Sequence, residues 1–167
     1  MRYSPAALSL SLVFGLAASA LHSTPSPVLD PRASALEAEG KKALEAGNVQ
    51  GAIDNFEAAL AIQPGSIVLT LDLAAANRHQ GLQGKALHYY RVALGYDSQN
   101  LDAIAGEGAA LVEKGAVEKA RRSLSRLQSL CNNCAQVKDL SEAITRGPTP
   151  KMVSAEDVTP KPTVSNN

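Results

Sequence analysis

From Ser34 onward, small and apolar residues return at three- to four-residue spacing between runs of charged and amide side chains. That period predicts amphipathic helices over 33–46, 50–62, 67–80, 84–96, 101–114 and 117–130. A further run, Val137, Leu140 and Ile144 with Gly147 just after it, predicts a seventh helix over 135–146. The pattern itself repeats. Gly47, Gly81 and Gly115 stand 34 residues apart, and so do Ala52, Ala86 and Ala120; Phe56, Tyr90 and Leu124 keep the step, as do Ala59, Ala93 and Leu127. A fixed period of small, small, large and small positions is the signature of a two-helix repeat.

Physical chemistry explains why those residue types recur. Two antiparallel helices joined by a tight turn need a residue that ends the first one. Gly47, Gly81 and Gly115 can take the left-handed conformation there without a Cβ penalty. Ala52, Ala86 and Ala120 fall where the second helix crosses the first, and a larger side chain would hold the backbones apart. Phe56, Tyr90 and Leu124, one turn further on, are expected to fill the space between neighbouring repeats.

The segment 33–134 resembles the tetratricopeptide repeat (TPR) family, in three copies at 33–66, 67–100 and 101–134. The first copy matches best, with Gly40, Gly47, Ala52, Phe56, Ala59 and Pro64 at the small, turn, small, aromatic, small and proline positions. The copies depart early in the first helix, where Leu36, Thr70 and Ile104 replace a large aromatic, and later, where Ala43, Asn77 and Leu111 do so. The resemblance implies an all-α, right-handed α-solenoid. The helix at 135–147 would cap its open end, because a terminal repeat otherwise exposes an apolar face.

The ends differ in character. Residues 1–20 carry Arg2, an apolar run from Ala6 to Ala18 and the small triplet Ala18-Ser19-Ala20, which reads as a secretory signal peptide cleaved after Ala20. The run is short of the roughly 20 apolar residues that a membrane crossing needs, and no Cys stands near the cleavage point, so no stable membrane anchor is expected after cleavage. Residues 21–32, with three prolines, read as an extended lead-in, and 148–167, with four, as a disordered Pro/Thr-rich tail. Of 167 residues, 147 remain after cleavage, and Lys+Arg fall from 16 to 15 against 16 Asp+Glu. That balance gives no electrostatic case for nucleic acid as a partner.

Candidate chemistry is sparse. Cys131 and Cys134, separated by two residues in an exported chain, are expected to form a disulfide that pins the turn before the capping helix. The alternative is a redox-active dithiol, since a Cys-x-x-Cys pair at a helix start can have a lowered thiol pKa. The absence of a preceding strand argues against a thioredoxin-type site, and Ala135 in place of a His excludes haem attachment. A zinc site lacks two further ligands, because His79 and His88 belong to another repeat. His22, His79 and His88 have no nucleophile or carboxylate at a catalytic spacing. Glu107 and Glu113, six residues apart, are expected to be solvated, and Gly106 is expected merely to weaken its helix. No catalytic residue, metal or cofactor is expected.

What remains is surface. The resemblance places the first helix of each repeat along a concave groove, which would present Ser34, Glu37, Lys41, Leu44 and Glu45, then Val68, Leu71, Asp72, Ala75, Arg78 and His79, then Asp102, Ala105, Ala109, Val112 and Glu113. An apolar strip flanked by charges of both signs suits an amphipathic helix or an extended apolar segment of a protein or peptide partner. Carboxylate-clamping relatives use basic and amide groove residues, whereas Glu37, Asp72, Asp102 and Gly106 stand at those positions here, with only Lys41 basic. The expected function is therefore a non-enzymatic scaffold or adaptor, exported across the inner membrane to the periplasm and serving envelope assembly or secretion. A thiol-disulfide protein using Cys131 and Cys134 is the alternative.

Overall fold

A computed structural model describes residues 28–148. The predicted signal peptide, most of the lead-in and the tail from 149 lie outside the described residues. Among these residues there are seven helices and no strand: α1 (Pro31–Glu45), α2 (Val49–Ile62), α3 (Ile67–His79), α4 (Gln83–Tyr96), α5 (Leu101–Glu113), α6 (Val117–Cys131) and α7 (Ala135–Arg146). The first helix begins at Pro31, inside the stretch expected to be extended. Asp30 caps it by accepting from the Arg32 N–H, and Pro31 occupies the first turn, where its missing N–H is no loss. Asn48, Ser66 and Asn100 cap α2, α3 and α5 in the same way.

The three repeat glycines do what their spacing predicts. Gly47, Gly81 and Gly115 have φ of 75°, 79° and 80°. At each, the glycine N–H donates to the carbonyl of Leu44, Arg78 or Val112, and the following N–H donates back to Ala43, Asn77 or Leu111. These paired bonds satisfy carbonyls that a helix end would otherwise leave open, and they reverse the chain into the next helix.

Helices pair as α1 on α2, α3 on α4 and α5 on α6, and each pair stacks on the next. Ala52, Ala86 and Ala120 are wholly buried at the crossings, as are Ala59, Ala93 and Leu127, and Phe56 and Tyr90 are buried between repeats. Leu124 is only half-buried, since a single helix lies beyond it. Two buried polar residues stand where large aromatics were missing: Thr70 donates to the Ser66 carbonyl and Asn77 to the Leu73 carbonyl, so neither hydroxyl nor amide donor is left unpaired in the core. The helix α7 starts 34 residues after α5 and packs on both α5 and α6, in the place of the first helix of a fourth repeat.

Candidate functional site

The odd-numbered helices line one face of the stack, and two pockets open on it. The first, of 330 Å³, lies between α3 and α5 and is lined by Val68, Leu71, Asp72, Ala75, Tyr90 and Asp102. The second, of 380 Å³, is bounded by Arg78 of α3, by Ala105, Gly106 and Ala109 of α5, and by Asp139, Leu140, Glu142, Ala143 and Arg146 of α7. Their floors are apolar or small and their rims are charged. Val68 is the most open of the apolar residues that line the two pockets, at 46% exposure.

Tyr90 and Gly106 divide the two pockets. A Cβ built on Gly106 would lie 2.2 Å from Tyr90 Cε1 and 2.3 Å from Cζ, so the ring lies flush on the α5 backbone. Gly106 therefore does more than weaken a helix: its bare backbone is the seat of the aromatic ring. Two other helix glycines play the same part, since a Cβ on Gly40 would meet Phe56 at 2.5 Å and one on Gly108 would meet Leu140 at 2.6 Å. Burial raises the Tyr90 hydroxyl pKa, with Arg78 pulling the other way.

Polar pairs tie successive groove helices together. Lys41 of α1 is held by Glu37 of its own helix and lies 3.4 Å from Asp72 Oδ2 of α3. Arg78 of α3 donates to Glu113 of α5 at 3.2 Å, and Glu113 also accepts from Gln83 at 2.9 Å. Asp102 of α5 accepts from Gln136 of α7 at 2.8 Å. Asp72 is the most perturbed acid of the groove. Burial raises its pKa, and the Lys41 ammonium, the ion-pair partner of the solvent-inaccessible Oδ2, only partly offsets that. Hydrogen bonding to Glu37 raises the Lys41 pKa against a smaller effect of burial.

Several expected positions turn out otherwise. Val112 is 2% exposed and belongs to the core, because it sits one residue, or about 100° of helix, from the groove-facing Glu113. Leu44 packs onto the cluster of Ala52, Ile53 and Phe56 rather than lining a pocket. Glu107 and Glu113 are not simply solvated: Glu107 holds Arg91 at 2.9 Å on the opposite face of α5, and Glu113 holds Arg78. His79 is exposed at the end of α3 and lines neither pocket, and His88 packs edge-on against Tyr89. Tyr90 and the α7 side chains Asp139, Glu142, Ala143 and Arg146 join the groove although sequence reasoning did not name them there. Among the described residues no cluster of metal-ligating side chains occurs. Cys131 ends α6 and Cys134 caps α7, their Cα atoms 5.6 Å apart and both side chains partly exposed.

No protein-family model matches the chain, and no curated protein matches it in sequence. Solved structures do. The TPR domain of Sgt2 from Aspergillus fumigatus superposes with a TM-score of 0.65 at 23% identity, over 73% of this chain and 83% of that one. The first TPR of Spaghetti (RPAP3), bound to the HSP90 peptide SRMEEVD, gives 0.61 at 22% identity, over 71% and 99%. The TPR2B domain of yeast Sti1, in its pHsp70 complex, gives 0.64 at 15% identity, over 70% and 96%. The fold is that of a TPR solenoid.

Proposed function

We propose that the chain is an exported, non-enzymatic adaptor that holds a segment of another protein in the groove of its odd-numbered helices, in envelope assembly or secretion. The observation that carries this is the pair of adjoining pockets with small or apolar floors on a single face, in a fold whose solved neighbours include domains bound to peptides. Alanine and glycine floors let a partner backbone approach closely, and the charged rims supply register. The residues proposed to bind are Glu37, Lys41, Val68, Leu71, Asp72, Ala75, Arg78, Tyr90, Asp102, Ala105, Ala109 and Arg146.

Charge selects the kind of segment. Lys41 is already engaged by Glu37 and Asp72, and Arg78 by Glu113, so an acidic peptide such as SRMEEVD finds few free cations in the groove. An apolar or amphipathic segment fits better. The test is capture of partners by the mature chain from its own envelope fraction, with Val68→Glu as the control. That change puts a charge in the first pocket at an already exposed position and should leave melting unchanged. Partners held equally by the parent and Val68→Glu would refute groove binding. Export rests on Ala18-Ser19-Ala20 and predicts a mature protein that begins at Leu21; an intact Met1 on protein recovered from the envelope would refute it.

A second reading, a thiol-disulfide protein, draws on Cys134 at the start of α7, where the helix field favours a thiolate. We infer instead a structural disulfide joining α6 to α7. A glutathione titration read by thiol alkylation separates the two: a structural bridge should titrate below about −300 mV, an oxidoreductase pair between about −120 and −270 mV.

A further inference from the structure

The face opposite the groove carries a different charge. On α6, Lys119, Arg122 and Arg126 follow one another at spacings of three and four, so their side chains share one side of the helix. Across from them, Arg91 projects from α4 and is held by Glu107 of α5 at 2.9 Å. Between these side chains lies a pocket of 280 Å³, walled also by Ser123. Arg126 is fixed at its edge by donating to the Ser98 carbonyl. Four cations and one carboxylate leave the pocket with a net positive charge of about three.

The gathering of these cations has no internal explanation. Among the described residues no carboxylate lies within ion-pair distance of Lys119, Arg122 or Arg126. Like charges at such spacings destabilise a helix by a few tenths of a kcal/mol per pair, so the fold alone gives no reason to gather them. Ser123 is 8% exposed, lines the pocket, and makes no side-chain hydrogen bond among the described residues. Its hydroxyl is not shut off from solvent, and it is free to turn and donate to an anion held in the pocket.

We propose that this pocket between α4 and α6 binds a multiply charged phosphate-type anion. Guanidinium forks match phosphate oxygens two at a time, the Lys119 ammonium adds a point charge, and Ser123 Oγ donates a short hydrogen bond. Glu107 holds Arg91 and the Ser98 carbonyl holds Arg126, so two of the four cations are already positioned, while Lys119 and Arg122 are ordered only on binding. The site is independent of the groove and of any partner held there.

Pyrophosphate is the probe, titrated into the mature chain by calorimetry at an ionic strength held constant with chloride. Saturable one-to-one binding is expected. Arg122→Gln, Lys119→Gln and Ser123→Ala should each weaken it about tenfold, or 1.4 kcal/mol. The first two positions are exposed, so parent-like melting of those variants is expected. The absence of saturable binding, or equal affinity in the parent and in Arg122→Gln, overturns the proposal. Sedimentation with phosphatidylglycerol vesicles, against phosphatidylcholine, then distinguishes the source. Arg122-dependent binding to the anionic vesicles assigns the site to a lipid headgroup, and pyrophosphate binding without vesicle binding assigns it to a soluble phosphate. Vesicle binding without saturable pyrophosphate binding also overturns it.

Discussion

Replacing Gly106 by Ala tests the packing on which the groove is built. At an ordinary helix position this change stabilises by about 1 kcal/mol, because Gly has more backbone freedom to lose. Here the new methyl would sit 2.2 Å from Tyr90 Cε1 and 2.7 Å from its hydroxyl oxygen. Carbon atoms rest at about 3.5–4.0 Å, so the ring must retreat by more than about 1 Å. Tyr90 is 4% exposed and packed among Ala74, Ala86 and Ile104, so the ring can retreat only toward the first pocket, at the cost of its seat on α5. Overpacking of this kind costs about 1–3 kcal/mol, so the propensity gain is outweighed and a net loss of about 1 kcal/mol is expected, or about 4 °C in melting temperature.

The decisive comparison is made in a second background. Tyr90→Leu copies the third repeat, in which Leu124 stands at the position of Tyr90 and Leu140 at that of Gly106. Alone it should destabilise by about 2 kcal/mol through the lost volume. With the ring gone, the alanine methyl has room, and Gly106→Ala should now stabilise by about 1 kcal/mol. The effect therefore changes sign, a coupling of about 2 kcal/mol read from urea denaturation of the four proteins. A Gly106→Ala protein that melts above its parent, or an effect equal in both backgrounds, would refute the close seating of the ring.

Asp72→Asn should reveal the cost of the buried carboxylate. Burial raises the Asp72 pKa in the folded state, so its contribution to stability is present below about pH 4 and lost as the pH rises through the folded value. Asparagine stays neutral, so the stability of the variant relative to the parent should rise between pH 3 and pH 7, and a difference independent of pH contradicts this sign. Ala86→Leu adds volume at a wholly buried crossing in the middle repeat and should lower stability by about 1–3 kcal/mol, whereas parent-like melting would mean that the crossing is loose. The double variant Cys131→Ser/Cys134→Ser opens only a very small loop and should lose stability at the low end of the disulfide range while keeping the helical circular dichroism of the parent; loss of folding would show that α7 docks only when tied.

The architecture was legible because the repeat encodes it in residues whose chemistry has few substitutes. Only glycine sits easily at φ near +80°, and only small residues fit a helix crossing, so Gly47, Gly81, Gly115 and Ala52, Ala86, Ala120 announce turn and crossing by position alone. The groove was less legible, since it depends on the angle at which each helix presents its side chains. One residue turns that angle by about 100°, enough to send Val112 inward while Glu113 reaches Arg78. The seat under Tyr90 was hidden for a different reason: Gly106 breaks the repeat, with Asp72 and Leu140 at the equivalent positions, and no single-copy departure can be read from a period. The α7 wall did carry a signal. Extending the 34-residue step once more from Ala105, Ala109 and Val112 arrives at Asp139, Ala143 and Arg146, all three on the second pocket.

Net charge misleads most in a molecule of this shape. Sixteen basic and sixteen acidic residues cancel in composition, yet a solenoid has two faces and the charges are divided between them. The groove side gathers Glu37, Asp72, Asp102, Glu113, Asp139 and Glu142 against Lys41, Arg78 and Arg146, while the pocket on the far side holds Arg91, Lys119, Arg122 and Arg126 against Glu107 alone. Charges on one face act together over a Debye length of about 8 Å at physiological salt, and those on the other face are largely screened from them. Each face therefore presents its own field, negative along the groove, where carboxylates outnumber cations, and positive in the α4–α6 pocket, where four cations stand against Glu107.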